Sequence, residues 1–461
     1  MPAHWTLGYC TNIHAGVDCD AICHNLETIS AEVRRRRNSG PADGTKPGVT
    51  GKTTPPAESP LGIGLWIPAK ASEEMRRTST RPLATTMRRH GLLPFTINGF
   101  PYDNFHQKRV KHAVYQPTWW DDRRLSYTRD LAKILAELLP PDEPLGTIST
   151  LPLGWPRQPL DPSNPPTTAS DGQPDSADRP VSEEERLHAG TNLRRLAEDL
   201  RRLEDRTGKR IVVAIEPEPG CLLETSTQLI QWFDQQLPDP THRRYLGVCH
   251  DVCHAAVMNE SQEEVLKRYA AAGILIGKVQ ISSAVVADWQ SIAVSDHHAV
   301  LDQLGQFAED RYLHQTGCID ADGRFRLAED LPELLATTRT AATEKVIDRK
   351  WVTHFHVPVF LERFGLLTTT RQDVLDALAA LVRLTDDGKA ASQESTDSRD
   401  TALPTAGLEF TGHLEIETYA WSVLPTAMRR HDLAGDIAEE LDWVATQLSH
   451  LPLTSDTGLT A

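Results

Sequence analysis

The chain has 461 residues, 39% hydrophobic and 24% charged, a globular composition long enough for one large domain or two to three ordinary ones. Its 48 Lys and Arg against 64 Asp and Glu leave a formal charge of −16, which repels nucleic acid and anionic membrane. No run of about 18 apolar residues marks a membrane span, no basic stretch leading into an apolar core opens the chain, and seven cysteines, an odd number, suit reduced thiols. A cytoplasmic protein is expected.

Eight short apolar runs follow one another along the chain. In order they are TLGYCTNI (6–13), LGIGLWI (61–67), PFTINGF (94–100), GTISTLPL (146–153), RIVVAIE (210–216), YLGVCHD (245–251), ILIGKVQIS (274–282) and HLEIETY (413–419). Near-continuous apolar runs of this length fit strands covered on both faces. Between them lie stripes with helical spacing: Ala21, Ile22, Leu26, Ile29 and Val33; Leu193, Leu196, Leu200 and Leu203; Val374, Leu375, Leu378, Leu381 and Val382; Leu441, Val444, Ala445 and Leu448. Eight strands alternating with helices predict an α/β fold, a (β/α)8 barrel rather than an open sheet. Residues 38–60, 156–182 and 386–408 are rich in Pro, Gly, Ser and Thr and almost free of large apolar side chains, so they read as low-complexity insertions. Together with an extra block at 284–362 they account for the length beyond an ordinary barrel. One domain over 1–450, with a disordered tail at 451–461, is expected.

In such a barrel the C-terminal ends of the strands meet at one mouth, where catalytic residues sit. The fifth run ends in Glu216, followed by Glu218 within IEPEPG; the sixth ends in CHDVCH, with His250, Asp251 and His254; the seventh carries Gln280; the eighth carries Glu415 and Glu417. Strand alternation points Glu415 and Glu417 the same way, with Glu417 nearer the end. Glu216, Asp251, Gln280 and Glu417 would supply four oxygen ligands around one point. Hard oxygen ligands suit one Mg2+ or Mn2+, and an imidazole such as His254 widens the choice to Co2+ or Zn2+. Each residue also has a plainer reading, a solvated strand-end carboxylate or a satisfied histidine near the core. The Cys249–His254 cluster has no second group of spaced cysteines to complete a zinc site. It is the recurrence at four successive strand ends that sets the carboxylates apart.

The sequence of IEPEPG, GVCHDVCH, KVQIS and LEIETY resembles the xylose isomerase-like barrel superfamily, notably its hydroxypyruvate isomerase and ketose epimerase branches. That resemblance implies metal ligands Glu216, Asp251, Gln280 and Glu417, with His254 as a substrate-contacting histidine. Over most of the chain, LGYCTNIHAG, FTINGFPYDNFHQKRVKHAVYQPTW, ISTLPLG, EPEPGCLLET, GVCHDVCHAAV, HFHVPVF and LEIETYAW are similar to the EboE family of metabolite traffic proteins. The family implies a place in the processing and movement of specialised metabolites, with proteins of the same pathway as partners and a homo-oligomer as one possible assembly.

Two stretches lie outside the generic superfamily pattern. After the third run come Asn98, then His106, Arg109, Lys111 and His112; a loop over the mouth would let Asn98, His106 and Lys111 meet a substrate, whereas a basic solvated helix face is the alternative. In Thr353-His354-Phe355-His356, alternation puts both imidazoles on one strand face, so His356, with His354 beside it, is expected at the mouth next to strand seven. The chemistry this predicts is metal-assisted proton transfer on a keto-polyol or sugar-like substrate, with Glu216 and Glu417 as base and acid and His254 at a substrate oxygen. A carrier that only binds a metabolite, and a phosphodiesterase or endonuclease using two or three metals, are the rival readings.

Overall fold

The computed structural model describes residues 5–39, 59–159, 178–340, 348–394, 407–451 and 459–460. Eight parallel strands close into a barrel: β1 (Trp5–Cys10), β2 (Leu61–Trp66), β3 (Leu92–Asn98), β4 (Leu145–Thr150), β5 (Arg210–Ile215), β6 (Leu246–Asp251), β7 (Ile276–Ile281) and β8 (His413–Ile416). Each pairs with the next, and β8 returns to β1 with Thr6 opposite His413 and Gly8 opposite Glu415. Closure removes both sheet edges and defines an inside and an outside. The continuous apolar runs follow from this: β2, β6, β7 and β8 are buried at every position, because inward side chains fill the barrel and outward ones meet the helices. The low-complexity segments and the C-terminal tail fall largely outside the described residues.

Local chemistry sets the strand-to-helix rhythm. The helix Glu183–Thr207 starts in a reciprocal capping box between Ser182 and Glu185, and buries Leu193, Leu196, Leu200 and Leu203. It stops at Gly208, whose φ of 68° is the left-handed conformation that glycine adopts without a Cβ clash. Two residues later β5 begins. Thr225 and Gln228 form a second capping box on the helix Ser226–Gln236, directly after the IEPEPG turn.

Between β7 and the helix Arg371–Glu394 the chain builds a separate antiparallel sheet of six strands. Its spatial order is Phe325–Ala328, Thr316–Ile319, Lys350–Thr353, Val285–Asp288, Leu367–Thr369 and Arg363–Phe364. The sheet runs past residue 362, the expected end of the extra block, because Val285 and Val286 pair with Thr369 and Thr368. It has its own apolar core, including Trp289, Phe307, Trp351 and Phe355, which reaches the barrel residues Trp66 and Tyr419. The histidine-bearing segment leaves this sheet: regular strand structure ends at Thr353, and 354–358 continues into the barrel mouth. The His354 amide donates to the Gln315 carbonyl at 2.8 Å and the Val357 amide to Ser283 at 2.9 Å, so the segment is fixed at both ends.

Candidate metal centre and cavity

Glu216 sits just beyond β5, Asp251 ends β6, and Glu417 follows β8. One carboxylate oxygen from each lies within 4.8 Å of the others. All three residues are buried. Asp251 also caps the helix Val252–Val257: its Oδ1 accepts from the His254 amide at 3.0 Å and from Ser282 Oγ at 2.7 Å. That leaves Oδ2 without a hydrogen-bond partner, as is Glu216 Oε2. Glu417 Oε1 accepts from Asn12 Nδ2 at 2.6 Å and Asn98 Nδ2 at 2.7 Å, which fixes the carboxylate's orientation. Asn98 itself is held by accepting the Phe100 amide at 3.1 Å.

One layer deeper, Lys278 Nζ lies 2.5 Å from Glu415 Oε2, both fully buried, and donates to Ser149 Oγ at 3.1 Å. This pair explains why Glu415 and Glu417 differ although they share a face. Burial alone would strip the Lys278 proton; Glu415 outweighs it and holds the ammonium above the ordinary lysine range. Lys278 is thus already matched by Glu415, and among the described residues no further lysine or arginine is paired with the three carboxyl groups above it. Burial first, then Glu417 and Asp251, pushes Glu216 well above the carboxylate range, while burial, Asp251 and Glu415 do the same to Glu417. Asp251 moves the other way: burial opposes, but His254 and His356 hold it low. Three buried carboxylates, two of them with a bare oxygen, fit a divalent cation, which would leave about one net negative charge.

A cavity of about 60 Å3 opens over this cluster. Glu216, Glu218, His254, His354, His356 and Glu417 form its polar side, facing an aromatic wall that includes Tyr115 and Tyr419. Glu218 Oε1 accepts from Tyr115 Oη at 2.8 Å, and its other oxygen has no partner. Burial of the Tyr115 phenol, then the Glu218 charge, pushes that hydroxyl well above its usual range, so it stays a donor.

Among the remaining expected residues, His254 and His356 line the cavity with His354 between them. Asn98 also lines it, but its amide is spent on Glu417. Lys111 stands at the rim, where Nζ reaches Asp330 Oδ2 at 2.5 Å across to the second sheet. His106 does not line the cavity: Nε2 meets the Asn12 carbonyl at 2.7 Å and the ring packs on Trp66, so it braces β1's end. Gln280 is fully buried, with its amide oxygen accepting from the Cys249 thiol at 3.0 Å and its nitrogen unpartnered. On β7 it is Ser282, two residues further, that touches Asp251. Sequence reasoning missed Asn12, Tyr115 and Gln315, ordinary polar residues whose only signal is adjacency to a strand end or a distant loop.

No protein-family model matches this sequence, and no curated protein matches it. Among solved structures the chain is similar to a xylose isomerase-like TIM barrel protein from Mycobacterium smegmatis in complex with magnesium, at 12% identity over 96% of this chain and 97% of that one, TM-score 0.45. It is also similar to D-allulose 3-epimerase from Methylomonas sp. (10%, 68% and 83%, TM-score 0.36) and to a sugar phosphate isomerase/epimerase from Parabacteroides distasonis (11%, 75% and 96%, TM-score 0.33). The (β/α)8 barrel itself is read from this chain's own strand pairing. At these identities and TM-scores the likeness assigns no activity to this chain.

Proposed function

We propose that this barrel is a metal-dependent isomerase or epimerase of a keto-polyol or sugar-like substrate. The observation that carries the reading is the convergence of Glu216, Asp251 and Glu417, with bare oxygens on Glu216 and Asp251, beneath a cavity lined by His254, His354 and His356. Glu216, Asp251 and Glu417 would hold one Mg2+ or Mn2+, with the Gln280 amide oxygen as a fourth ligand if it releases Cys249, or His356, whose Nε2 is 3.8 Å from Asp251 Oδ2. When bound, such an ion polarises the oxygens of an α-hydroxy carbonyl compound and stabilises negative charge developing on them. Proton movement falls to the chain. Glu417 has one oxygen pinned by two amides, so its other oxygen is the one left to the ion or to a proton at carbon. Glu216, the other carboxylate of the cluster that lines the cavity, is the complementary group. His254 donates Nδ1–H to the Pro217 carbonyl at 2.9 Å, so Nε2, 3.2 Å from His354 Nε2, is the ring's lone-pair side in the cavity lining.

The resemblance of the long motifs to the EboE family supports a substrate from a specialised-metabolite pathway, with proteins of that pathway as partners. The test is proton exchange. In deuterated buffer with Mn2+, a panel of keto-sugars, cyclitols and hydroxy-ketones should include one that exchanges its α-proton by NMR. Glu417→Gln should lose metal and exchange together, and a variant retaining both overturns the assignment.

A second reading, metal-dependent phosphodiester hydrolysis, draws on the imidazole wall. Against it stand the charge of −16 and the engagement of Lys111, the cation lining the cavity, by Asp330. Turnover of a simple aryl phosphodiester, with no exchange on any keto-sugar, would favour it.

A further inference from the structure

We propose that His254, His354 and His356 form a second metal site, for a borderline divalent cation such as Zn2+, beside the carboxylate centre and sharing Asp251 with it. This goes beyond the isomerase reading and does not depend on it.

The hydrogen bonds dictate the tautomers. His254 Nδ1 lies 2.9 Å from the Pro217 carbonyl and His356 Nδ1 2.8 Å from the Glu417 carbonyl. A carbonyl only accepts, so both rings carry their hydrogen on Nδ1. His354 Nδ1 lies 2.8 Å from Gln315 Oε1. That amide cannot be turned round, because its nitrogen donates to the Pro219 carbonyl at 3.1 Å and to Glu218 Oε1 at 3.4 Å. His354 is therefore also Nδ1–H. In the neutral rings all three Nε2 atoms are bare lone pairs, yet His354 Nε2 stands 3.2 Å from Nε2 of His254 and 3.2 Å from Nε2 of His356.

Lone pairs facing one another at that distance repel. One proton on His354 would relieve one contact and leave the other. A cation between them relieves both. Zn–N bonds of about 2.0–2.1 Å at a tetrahedral angle separate ligand nitrogens by about 3.3 Å, close to the two separations that His354 Nε2 makes. The oxygens held by the three Nδ1–H groups are the outer partners that orient metal-bound imidazoles.

The surroundings suit the same ion. A ring nitrogen of His254, one of His356 and a carboxylate oxygen of Asp251 lie within 4.8 Å of one another, and the bare Asp251 Oδ2 is 3.8 Å from His356 Nε2. Cys253 Sγ shares the same 4.8 Å neighbourhood with His354 and His356. Nitrogen and sulfur donors select Zn2+ or Co2+ over Mg2+, whereas the adjoining all-oxygen cluster does the reverse. Two of the three imidazoles come from the segment inserted between β7 and β8, so the second sheet would build half of this site.

The test uses the full chain, stripped by chelation. Titrated with Co2+, it should develop the intense visible absorption of four-coordinate cobalt; with Zn2+ it should retain one equivalent after desalting, held by the imidazoles. His354→Ala should lose both the cobalt band and the zinc, while Glu417→Gln keeps both. Failure of the carboxylate centre alone thus leaves the histidine signature intact. If His354→Ala does not fold, zinc-edge absorption of the wild type counts imidazoles directly, and three are expected. A His354→Ala protein that keeps the band and the zinc, or a wild-type zinc spectrum with fewer than three imidazoles, overturns the proposal.

Discussion

Lys278 and Glu415 show how much of this site rests on residues that meet no substrate. Their ion pair is fully buried beneath the carboxylates, and room for it exists only because β2 carries a glycine: a Cβ on Gly64 would fall 1.5 Å from Glu415 Oε1. Removing one partner leaves an uncompensated buried charge, so Lys278→Met should cost about 3–5 kcal/mol in denaturant unfolding. It should cost far more than the double replacement Lys278→Met with Glu415→Leu. Asn12 and Asn98 act on Glu417 in the same indirect way. Asn98→Ala removes one of two donors to Oε1, and a change in such an orienting partner typically costs about 10- to 100-fold in metal affinity or turnover. Metal titration and exchange kinetics on one preparation should find that loss, with circular dichroism unchanged. Asn98 was legible as a residue near the mouth because it ends an apolar run; its use in aiming a carboxylate 319 positions away was not.

Among the elements, the C-terminal helix Leu433–His450 fastens the ends of the chain's insertions to the barrel. Its Glu440 is buried and accepts from the Val359 amide at 3.0 Å and Thr418 Oγ1 at 2.7 Å, linking the second-sheet segment to the residue after Glu417. Burial, with Asp436 and Glu439 on the same helix, raises its carboxyl from 4.5 to about 8 against those two hydrogen bonds. The folded state therefore holds this proton more tightly than the unfolded chain. Its contribution is fully favourable below pH 4.5 and is lost as pH rises towards 8, by about 1.4 kcal/mol for each pH unit crossed. Glu440→Gln keeps an acceptor and removes the titration, so its melting temperature relative to wild type should climb between pH 5 and 8. A parallel pair of curves would show that Glu440 does not titrate there. The strands were the most legible elements, since eight apolar runs buried on both faces have few alternatives. The His354–His356 pair was legible as two rings on one side, but the strand carrying them ends at Thr353, because beyond it the backbone bonds to Gln315 and Ser283 of different elements.

For the molecule as a whole, metal binding and folding are linked. An ion that binds only the folded barrel stabilises it by about 2.7 kcal/mol at a concentration one hundred times its dissociation constant. Thermal unfolding should therefore shift upward with added Mn2+, and the shift should vanish in Asp251→Asn, whose position adjoins both clusters. Among the described residues no helix is long and apolar enough to cross a membrane, and all seven cysteines are free.

The order of apolar runs and helical stripes determined the barrel by itself, because a closed parallel sheet imposes a pattern that repeats locally and survives without knowledge of neighbours. The same pattern set Glu216, Asp251 and Glu417 at the mouth, since barrel closure brings strand ends together whatever the loops contain. The tertiary structure alone decided which atom of each side chain is left bare. That depends on partners such as Asn12, Ser282 and Gln315, whose distance in sequence hides them, and on an inserted sheet that delivers His354 and His356 to the same cavity. Hydrogen-bond directions are set by contact, and contact between remote segments is what a linear pattern does not encode.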